Sequence, residues 1–175
     1  MTRRGPFAAL ATLALVAGLV FGPAIVRAQS RPWRELPLAS ASLEQKPQGE
    51  VALLGGFAAV RNYGTHAVVC VSFKNVAPQR ARRVVFEFPF VDAGGTTVGT
   101  LTLDRKGEFS SNADIMTYAS FGAWESATSS SGRRDRELNC IARPLGSAGS
   151  AFLRAHTVSY HVVRVEYDGG KVWTP

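Results

Sequence analysis

The chain of 175 residues is long enough for one domain and a short remainder. Hydrophobic residues make up 46% of it and charged residues 19%, a balance that permits a packed core and excludes global disorder. The formal net charge is +7, but the arginines are dispersed and no nucleic-acid-binding motif is present. We therefore expect no nucleic-acid partner.

The N-terminus has the pattern of an export signal over residues 1–28. Two arginines are followed by an apolar run at 7–20 and by a Val-Arg-Ala sequence that ends at Ala28. This pattern predicts a helical signal peptide cleaved between Ala28 and Gln29, which would leave a secreted or periplasmic protein with no stable membrane span. The apolar run, extended to Val26, is also about long enough to cross a bilayer, so an N-terminal inner-membrane anchor is the alternative.

Cleavage would also change the charge. The signal contains three arginines and no acidic residue, so the mature chain has 17 basic and 13 acidic residues, a net charge of +4. Such a mild excess favours solubility and does not indicate nucleic-acid binding.

A polar segment with three prolines follows at 29–50. Its composition predicts an extended linker that docks locally through Trp33 and Leu38. From Val51 onward the pattern becomes β-like, and the sequence predicts one β-sandwich domain over 51–175.

Short apolar runs separated by Gly-rich turns predict about seven to eight strands. The clearest alternation, at 82–91, places Val84, Phe86, Phe88 and Phe90 on one face, which predicts a core. The other predicted strands are 51–60, 66–74, 96–103, 137–142, 157–167 and a short last strand ending at Trp173, and 108–110 and 115–121 are candidates for further strands.

Two of these strands carry irregular features. Pro89 has no backbone donor, which predicts an edge position or a bulge. Within 157–167 the alternating apolar residues change from one face of the strand to the other. This change predicts a β-bulge or a strand buried on both faces. The helix signal is poor outside the leader, with a weak candidate at 148–155.

Cys70 and Cys140 are the two cysteines of the chain. Because export delivers them to an oxidising compartment, a single disulfide is the default interpretation. It would close a loop of about 70 residues and stabilise the fold by about 4 kcal/mol. Two free thiols, or a catalytic Cys paired with a His, are the alternative.

Two features suggest a family. The cysteines lie on separate predicted strands, and FPFVD at 88–92 is followed by Gly-Gly at 94–95 and by Val98-Gly99. In both respects the chain resembles bacterial secreted immunoglobulin-like domains of the FxLYD type. The resemblance implies an all-β, immunoglobulin-like antiparallel sandwich, and such sandwiches host many functions.

The sequence has none of the common catalytic motifs, such as Gly-x-Ser-x-Gly, His-Glu-x-x-His, a P-loop or Gly-x-Gly-x-x-Gly. His156 and His161 are an odd number of positions apart, which places them on opposite faces of a regular strand. Asp104, Glu108 and Asp114 surround a turn but lack the spaced Asp residues of a calcium loop. We expect no catalytic residue, no cofactor and no metal.

Two arginine clusters are candidate anion-binding surfaces, one at 80–83 and the other formed by Arg133, Arg134 and Arg136. The second lies in a Ser-rich, charged segment, 125–136, which predicts a mobile loop. We favour it as the binding loop because loops carry function more often than strands do. Its partner would be an acidic glycan or an envelope protein.

The nearby aromatic residues Tyr118, Phe121 and Trp124 have two interpretations. They pack in the core, or their rings form a platform on which a sugar stacks.

Together these observations predict an exported, non-enzymatic β-sandwich domain that acts as a binding or cell-envelope interaction module. One alternative is an envelope hydrolase whose residues come from distant loops, for example His66 or His156 with Asp114. The other is a surface protein that self-assembles through exposed sheet edges.

Overall fold

A computed structural model of the chain describes residues 33–39, 50–131 and 139–175. The predicted signal peptide with its cleavage site at Ala28 and Gln29 lies outside these residues, as does the arginine cluster at 133–136.

The described residues form ten β-strands and two α-helices. The strands are β1 (Trp33–Leu36), β2 (Val51–Arg61), β3 (His66–Asn75), β4 (Ala81–Asp92), β5 (Thr97–Phe109), β6 (Asp114–Ile115), β7 (Cys140–Pro144), β8 (Ala155–Val158), β9 (His161–Tyr167) and β10 (Val172–Trp173). The helices are α1 (Phe121–Ser131) and α2 (Gly149–Phe152). The strands pair antiparallel in two sheets, so the predicted all-β sandwich is confirmed.

The first sheet has the order β1-β2-β3, and both β7 and β6 lie on the far side of β3. β7 pairs with the first half of β3, and β6 pairs with its end at Phe73 and Lys74. The second sheet has the order β10-β9-β4-β5, and β8 pairs with β4 beyond the end of β9.

The inner faces of the two sheets form the main core. Phe86, Phe88 and Phe90 of β4 are fully buried, as their alternation predicts. The ring of Phe86 packs against that of Phe73 on β3, with 5.1 Å between centroids, and so joins the two sheets. Each such side chain contributes about 1.5–3 kcal/mol through the apolar area that it removes from water.

Pro89 lies on an interior strand and not at a sheet edge. Its carbonyl oxygen accepts a hydrogen bond from Ser159 N at 3.0 Å, at the point where β4 changes partner from His161 of β9 to Val158 of β8. A residue's N and C=O point to the same side of a strand, so the donor that Pro89 lacks would face this break in the ladder. The proline therefore occupies a position where the sheet loses no regular hydrogen bond.

The stretch predicted as one strand at 157–167 is two strands, β8 and β9, separated by Ser159 and Tyr160. Within β9, Arg164 pairs with Val85 and Val162 pairs with Phe86, so Val163 is the extra residue of a bulge. The bulge inferred from the phase switch is thereby confirmed.

The turn between β4 and β5 has the predicted chemistry. The Asp92 carboxylate accepts hydrogen bonds from the backbone N–H groups of Gly94 and Thr96, each at 2.9 Å. Gly95 has a φ of +83°, a conformation that glycine adopts without strain.

The prediction of a linker over 29–50 is wrong for its described first part. Trp33–Leu36 forms β1, which pairs with the end of β2, and Arg31–Pro175 is one compact unit. The two residues expected to dock do so: the Trp33 ring packs on Trp124 at 5.6 Å, and Leu38 bridges to Val158. The sandwich therefore begins before Val51.

The segment 121–131 is helix α1, which corrects the strand predicted at 115–121 and the first part of the loop predicted at 125–136. Phe121 and Trp124 are three residues apart, so they lie on the same face of a helix. Both are buried against the outer face of the first sheet, where they form a second apolar cluster with Phe57 and Cys70.

Cys70 and Cys140 form the predicted disulfide, and no free cysteine is left. The two residues are direct partners in the pairing of β3 with β7. They lie on the outer face of the first sheet, within the apolar cluster that α1 covers. The disulfide thus attaches a strand of only five residues to the long strand beside it.

Replacing both cysteines by alanine should lower the free energy of unfolding by about 4 kcal/mol, because the closed loop is long. Chemical denaturation of the oxidised protein and of the C70A/C140A variant measures the difference. The denatured, unreduced protein should titrate no free thiol. Two titratable thiols, or a loss below about 1 kcal/mol, would contradict this role.

Asn75 is a fully buried polar residue at the end of β3. Its amide nitrogen donates to the carbonyl oxygens of Gln79 at 2.8 Å and Phe109 at 2.9 Å. Its side-chain oxygen accepts from Ala77 N at 3.1 Å. One side chain therefore fixes the end of β3, the crossing to β4 and the end of β5.

Asn75→Ala should lower the free energy of unfolding by about 2–4 kcal/mol, because it leaves buried backbone groups without partners. Asn75→Asp keeps the acceptor for Ala77 N but turns a carboxylate oxygen toward carbonyl oxygens. It should therefore be less stable than Asn75→Ala at pH 7 and should gain stability as the pH falls. Denaturation curves at pH 7 and pH 5 test both statements, and a pH-independent Asn75→Asp variant would contradict them.

Candidate functional site

The two lateral sides of the sandwich differ in whether a chain segment crosses between the sheets. On one side the chain after β1 crosses between the sheets, where Ala39 N donates to Val158 O at 2.6 Å and Arg34 donates to Ala155 O at 2.8 Å. On the other side lie β5, which pairs only with β4, and β7, which pairs only with β3, among the described strands. In the part of the chain that the structure describes, that side therefore has two strand edges to which no further strand is added.

A cleft of about 710 Å³ lies between these two edges. One wall is residues 102–106 of β5, and the other is Cys140–Arg143 of β7. Leu103 and Ile141 are 5% and 8% exposed and give the cleft an apolar floor. The size is within the range of small-ligand and peptide sites.

The charge of the cleft is positive. Lys106 on one wall and Arg143 on the other are exposed, and neither forms an ion pair with any residue in the described part of the chain. Arg105 also lines the cleft and is half-buried, and this burial lowers the pKa of its guanidinium. The Asp104 carboxylate is held by Arg83, with two contacts of 2.8 Å, so its hydrogen bonds go to Arg83 and not to Lys106 or Arg143.

The outer face of the second sheet, in contrast, carries arginines that are paired with acids. Arg83 also donates to Glu166 at 3.0 Å, and Glu166 accepts from Arg164 at 2.7 Å. The hydrogen bonds to Asp104 and Glu166 raise the pKa of Arg83. They lower the pKa of the Asp104 carboxyl, and the Arg164 guanidinium, with Arg83, lowers that of Glu166.

The arginines at the start of β4 are also paired with acidic residues. Arg80 binds Asp168 at 2.8 Å and Glu108 at 3.0 Å, and Arg82 also contacts Asp168. Hydrogen bonds from Arg82 and Arg80 lower the pKa of the Asp168 carboxyl. The arginine cluster predicted at 80–83 is therefore neutralised within the face that carries it.

The residues named for a hydrolase lie far apart. Asp114 is opposite Lys74 at one end of β3 and forms an ion pair with it at 3.4 Å. His66 begins the same strand, about 26 Å away at 3.3 Å per residue. His156 lies on β8 of the other sheet, which pairs with Phe90, Val91 and Asp92 at the end of β4.

The other candidates do not assemble a site either. His156 and His161 are exposed on separate strands, and the described residues contain no group of three His, Cys, Asp or Glu side chains that could hold a metal. Phe121 and Trp124 are 3% and 5% exposed, so they pack in a core and offer no platform for a sugar. The favoured arginines 133–136 lie outside the described residues.

Sequence reasoning did not single out Lys106 or Arg143. The one available signal was the charged pair at 105–106, which interrupts the apolar alternation of β5. Arg143 gave no signal, because its place in the cleft depends on the pairing of β7 with β3.

Comparison with known proteins gives no assignment. No protein-family model matches the chain, and no curated protein or solved structure matches it significantly. Among the described helices, none has the length and apolar character needed to cross a membrane.

The ion-pair network predicts how stability changes with pH. The pKa values of Asp104, Glu166 and Asp168 are lowered on folding, so the stability that these groups contribute is complete above the ordinary carboxyl pKa and is lost as the pH falls through the lowered folded pKa values. Arg83→Met should therefore destabilise the protein at pH 7, and the deficit should shrink by about half or more at pH 2.5.

Thermal unfolding of the wild type and Arg83→Met at both pH values measures this change. Arg154→Met is the matched control, because Arg154 is exposed and forms no ion pair in the described part of the chain. Equal deficits for Arg83→Met at pH 7 and pH 2.5 would show that the arginine acts through packing and not through its carboxylate partners.

Proposed function

We propose that the chain is an exported, non-enzymatic binding module of the cell envelope and that it binds an anionic partner in the cleft between β5 and β7. The leader sequence and the Cys70–Cys140 disulfide support export, since disulfides persist in oxidising compartments. As part of this proposed export, residues 1–28 are cleaved as a signal peptide.

We also propose that this domain is related to immunoglobulin-like domains of the FxLYD type. The neighbours β2-β3-β7 and β10-β9-β4-β5 have the same order as strands A-B-E and G-F-C-C′ of immunoglobulin domains. The disulfide differs, because in antibody domains it joins the two sheets and here it joins neighbours within one sheet. Strand order and the Asp92 turn support the kinship, and the cysteines do not.

The observation that carries the function is the distribution of charge. Four arginines and four acidic residues neutralise one another on the outer face of the second sheet. Lys106 and Arg143 both line a concave, partly apolar cleft and have no ion-pair partner among the described residues. Cations in a concave site with low-dielectric walls attract anions more strongly than dispersed surface charges do.

The hydrolase alternative has less support, because His66 lies about 26 Å from Asp114 along β3 and His156 lies on β8 of the other sheet. The cleft itself is lined by Thr102, Asp104, cations, apolar side chains and a disulfide-bonded cysteine. Its one carboxylate is held by Arg83, and its lining includes no histidine that could activate the Thr102 hydroxyl.

The test uses the protein from Gln29 onward, which contains the whole compact unit Arg31–Pro175. Poly-L-glutamate and polygalacturonate serve as anionic probes, and NMR amide shifts locate their binding. The K106A/R143A variant should bind either probe about tenfold more weakly, because two cations near the ligand are lost. Arg154→Ala, which removes one charge far from the cleft, should bind within about twofold of the wild type.

Because Arg154→Ala removes one charge and K106A/R143A removes two, a loss of binding free energy in Arg154→Ala about half that in K106A/R143A would show that binding follows net charge and not the cleft. Shifts confined to residues outside 102–106 and 140–143, or no binding of either probe at 50 mM salt, would also overturn the proposal.

A further inference from the structure

We infer that one end of the sandwich is a second interaction surface, which docks on the anionic surface of a lipid bilayer. This end surface is formed by the turn between β2 and β3, residues 62–65, and by the segment 144–154 that packs against it. The inference rests on the export that the proposed function includes, and it does not depend on the cleft between β5 and β7.

Tyr63 lies in this turn with its ring in solvent. Its side chain is 92% exposed, more than any other large apolar side chain in the described part of the chain. Its φ of +73° lies in the left-handed region, which asparagine and glycine adopt at a lower cost than an aromatic residue does. The turn itself therefore does not require a tyrosine. An exposed ring on such a backbone indicates a role in contact with a partner.

Backbone contacts fix the turn to the neighbouring segment. Gly64 and Gly149 approach so closely that a Cβ atom on Gly64 would clash with the carbonyl oxygen of Gly149. Leu145 N donates to Thr65 O at 3.0 Å. Because the residues that follow Tyr63 are held in this way, presenting its ring to a partner costs little conformational entropy.

Further apolar groups lie beside the turn. Leu153 follows α2 and is 40% exposed, and Pro144 is exposed as well. The carbonyl oxygen of Leu153 accepts a hydrogen bond of 2.9 Å from Arg34, which pairs with Val60 near the end of β2. The end of α2 therefore lies next to the strand that leads into the turn.

The two segments of the end surface carry cations and no acidic residue. Arg61 directly precedes the turn and Arg154 ends the segment, and both are exposed without an ion pair to any described residue. Asp92, at the end of β4, directs its carboxylate to backbone N–H groups of its own turn. Exposed apolar groups beside unpaired cations complement a layer of anionic lipid headgroups.

The shape of this end fits a bilayer better than a small ligand. Small ligands bind in concave sites, whereas Tyr63 is almost fully exposed on a turn. The tyrosine ring is amphipathic and prefers the depth of the lipid headgroups, where its hydroxyl stays hydrated. Arginine side chains at the same depth bind the lipid phosphates.

The chain enters the domain at this end. Trp33, the first described residue, pairs with Arg61, two residues before Tyr63. The predicted export signal precedes Trp33 in the chain, so the domain is connected to the leader at this end. A leader that enters the membrane during export, or that stays there as the alternative anchor, leads directly to the surface that carries Tyr63.

The test measures co-sedimentation of the protein from Gln29 onward with two kinds of vesicles. One kind contains phosphatidylglycerol and phosphatidylcholine in equal amounts, and the other contains phosphatidylcholine alone. The wild type should bind the anionic vesicles at least about tenfold more strongly, because cations near a bilayer gain affinity from anionic lipids. Equal binding to both kinds, or binding to neither, would overturn the inference.

Tyr63→Asn separates a contact role from a structural one. It should weaken binding to the anionic vesicles by about fivefold or more, because the ring is lost. It should also raise the midpoint temperature of thermal unfolding by about 2–4 °C, because asparagine adopts the left-handed φ at a lower cost. Unchanged binding, or lost binding with a lowered midpoint, would show that Tyr63 does not act by touching the bilayer.

Matched variants remove the same kinds of group from the two ends. Arg154→Ala should bind the anionic vesicles about threefold more weakly. Met116→Ser, which removes a side chain that is 61% exposed, and Lys171→Ala, which removes one cation, lie at the opposite end of the sandwich. Each should bind within about twofold of the wild type. Losses there equal to those in Tyr63→Asn and Arg154→Ala would mean unspecific adhesion and would overturn the inference.

The cleft is tested separately with poly-L-glutamate, which should bind Tyr63→Asn and the wild type equally. If poly-L-glutamate binds in the cleft and no vesicle binds, the membrane surface is wrong and the proposed function stands. If vesicle binding is lost in K106A/R143A and kept in Tyr63→Asn, the lipid contacts the cleft and the inference is wrong. If vesicles bind through Tyr63 and poly-L-glutamate does not bind, the cleft is wrong and the inference stands.

Discussion

The position of β7 depends on the Cys70–Cys140 disulfide. β7 has five residues and pairs with one neighbour among the described strands, so its hydrogen bonds alone hold it weakly. The disulfide attaches it to β3, and Phe121 and Trp124 of α1 cover the bridge with apolar side chains. Since β7 is one wall of the cleft, the geometry of the candidate site follows from this one cross-link.

The sandwich is asymmetric from one lateral side to the other. The crossing chain after β1 closes one side through backbone contacts with Val158, and β5 and β7 leave the other side open. The charges follow the same division, because the arginines on the outer face of the second sheet have carboxylate partners and Lys106 and Arg143 have none in the described part of the chain. The proposed function thus assigns binding to a group of cations different from the one that forms ion pairs within the domain.

Local sequence patterns predicted the parts of the fold that depend on local rules. The alternation of phenylalanines on β4 predicted the core, and the Asp-Ala-Gly-Gly sequence predicted the turn at Asp92. The disulfide followed from two cysteines and an export signal. The bulge at Val163 followed from a change of phase that no regular strand produces.

The parts that the sequence did not predict depend on tertiary contacts. Trp33–Leu36 is a strand because the edge of β2 is available to it, and α1 is stabilised by the apolar outer face of the first sheet. Pro89 was expected at an edge or a bulge, because the division of its partner into β8 and β9 cannot be inferred from β4. The cleft was missed for a related reason, since residues 102–106 and 140–143 come together only when the two sheets are stacked.

The most direct test of the central claim is amide hydrogen exchange in the oxidised protein and in C70A/C140A under native conditions. If the disulfide holds β7 in place, the amides of Ile141 and Ala142 lose protection in the variant by at least about tenfold more than those of Val69 and Val71 on β3. An equal loss of protection on both strands, or unchanged exchange on β7, would contradict the claim that this cross-link positions the wall of the cleft.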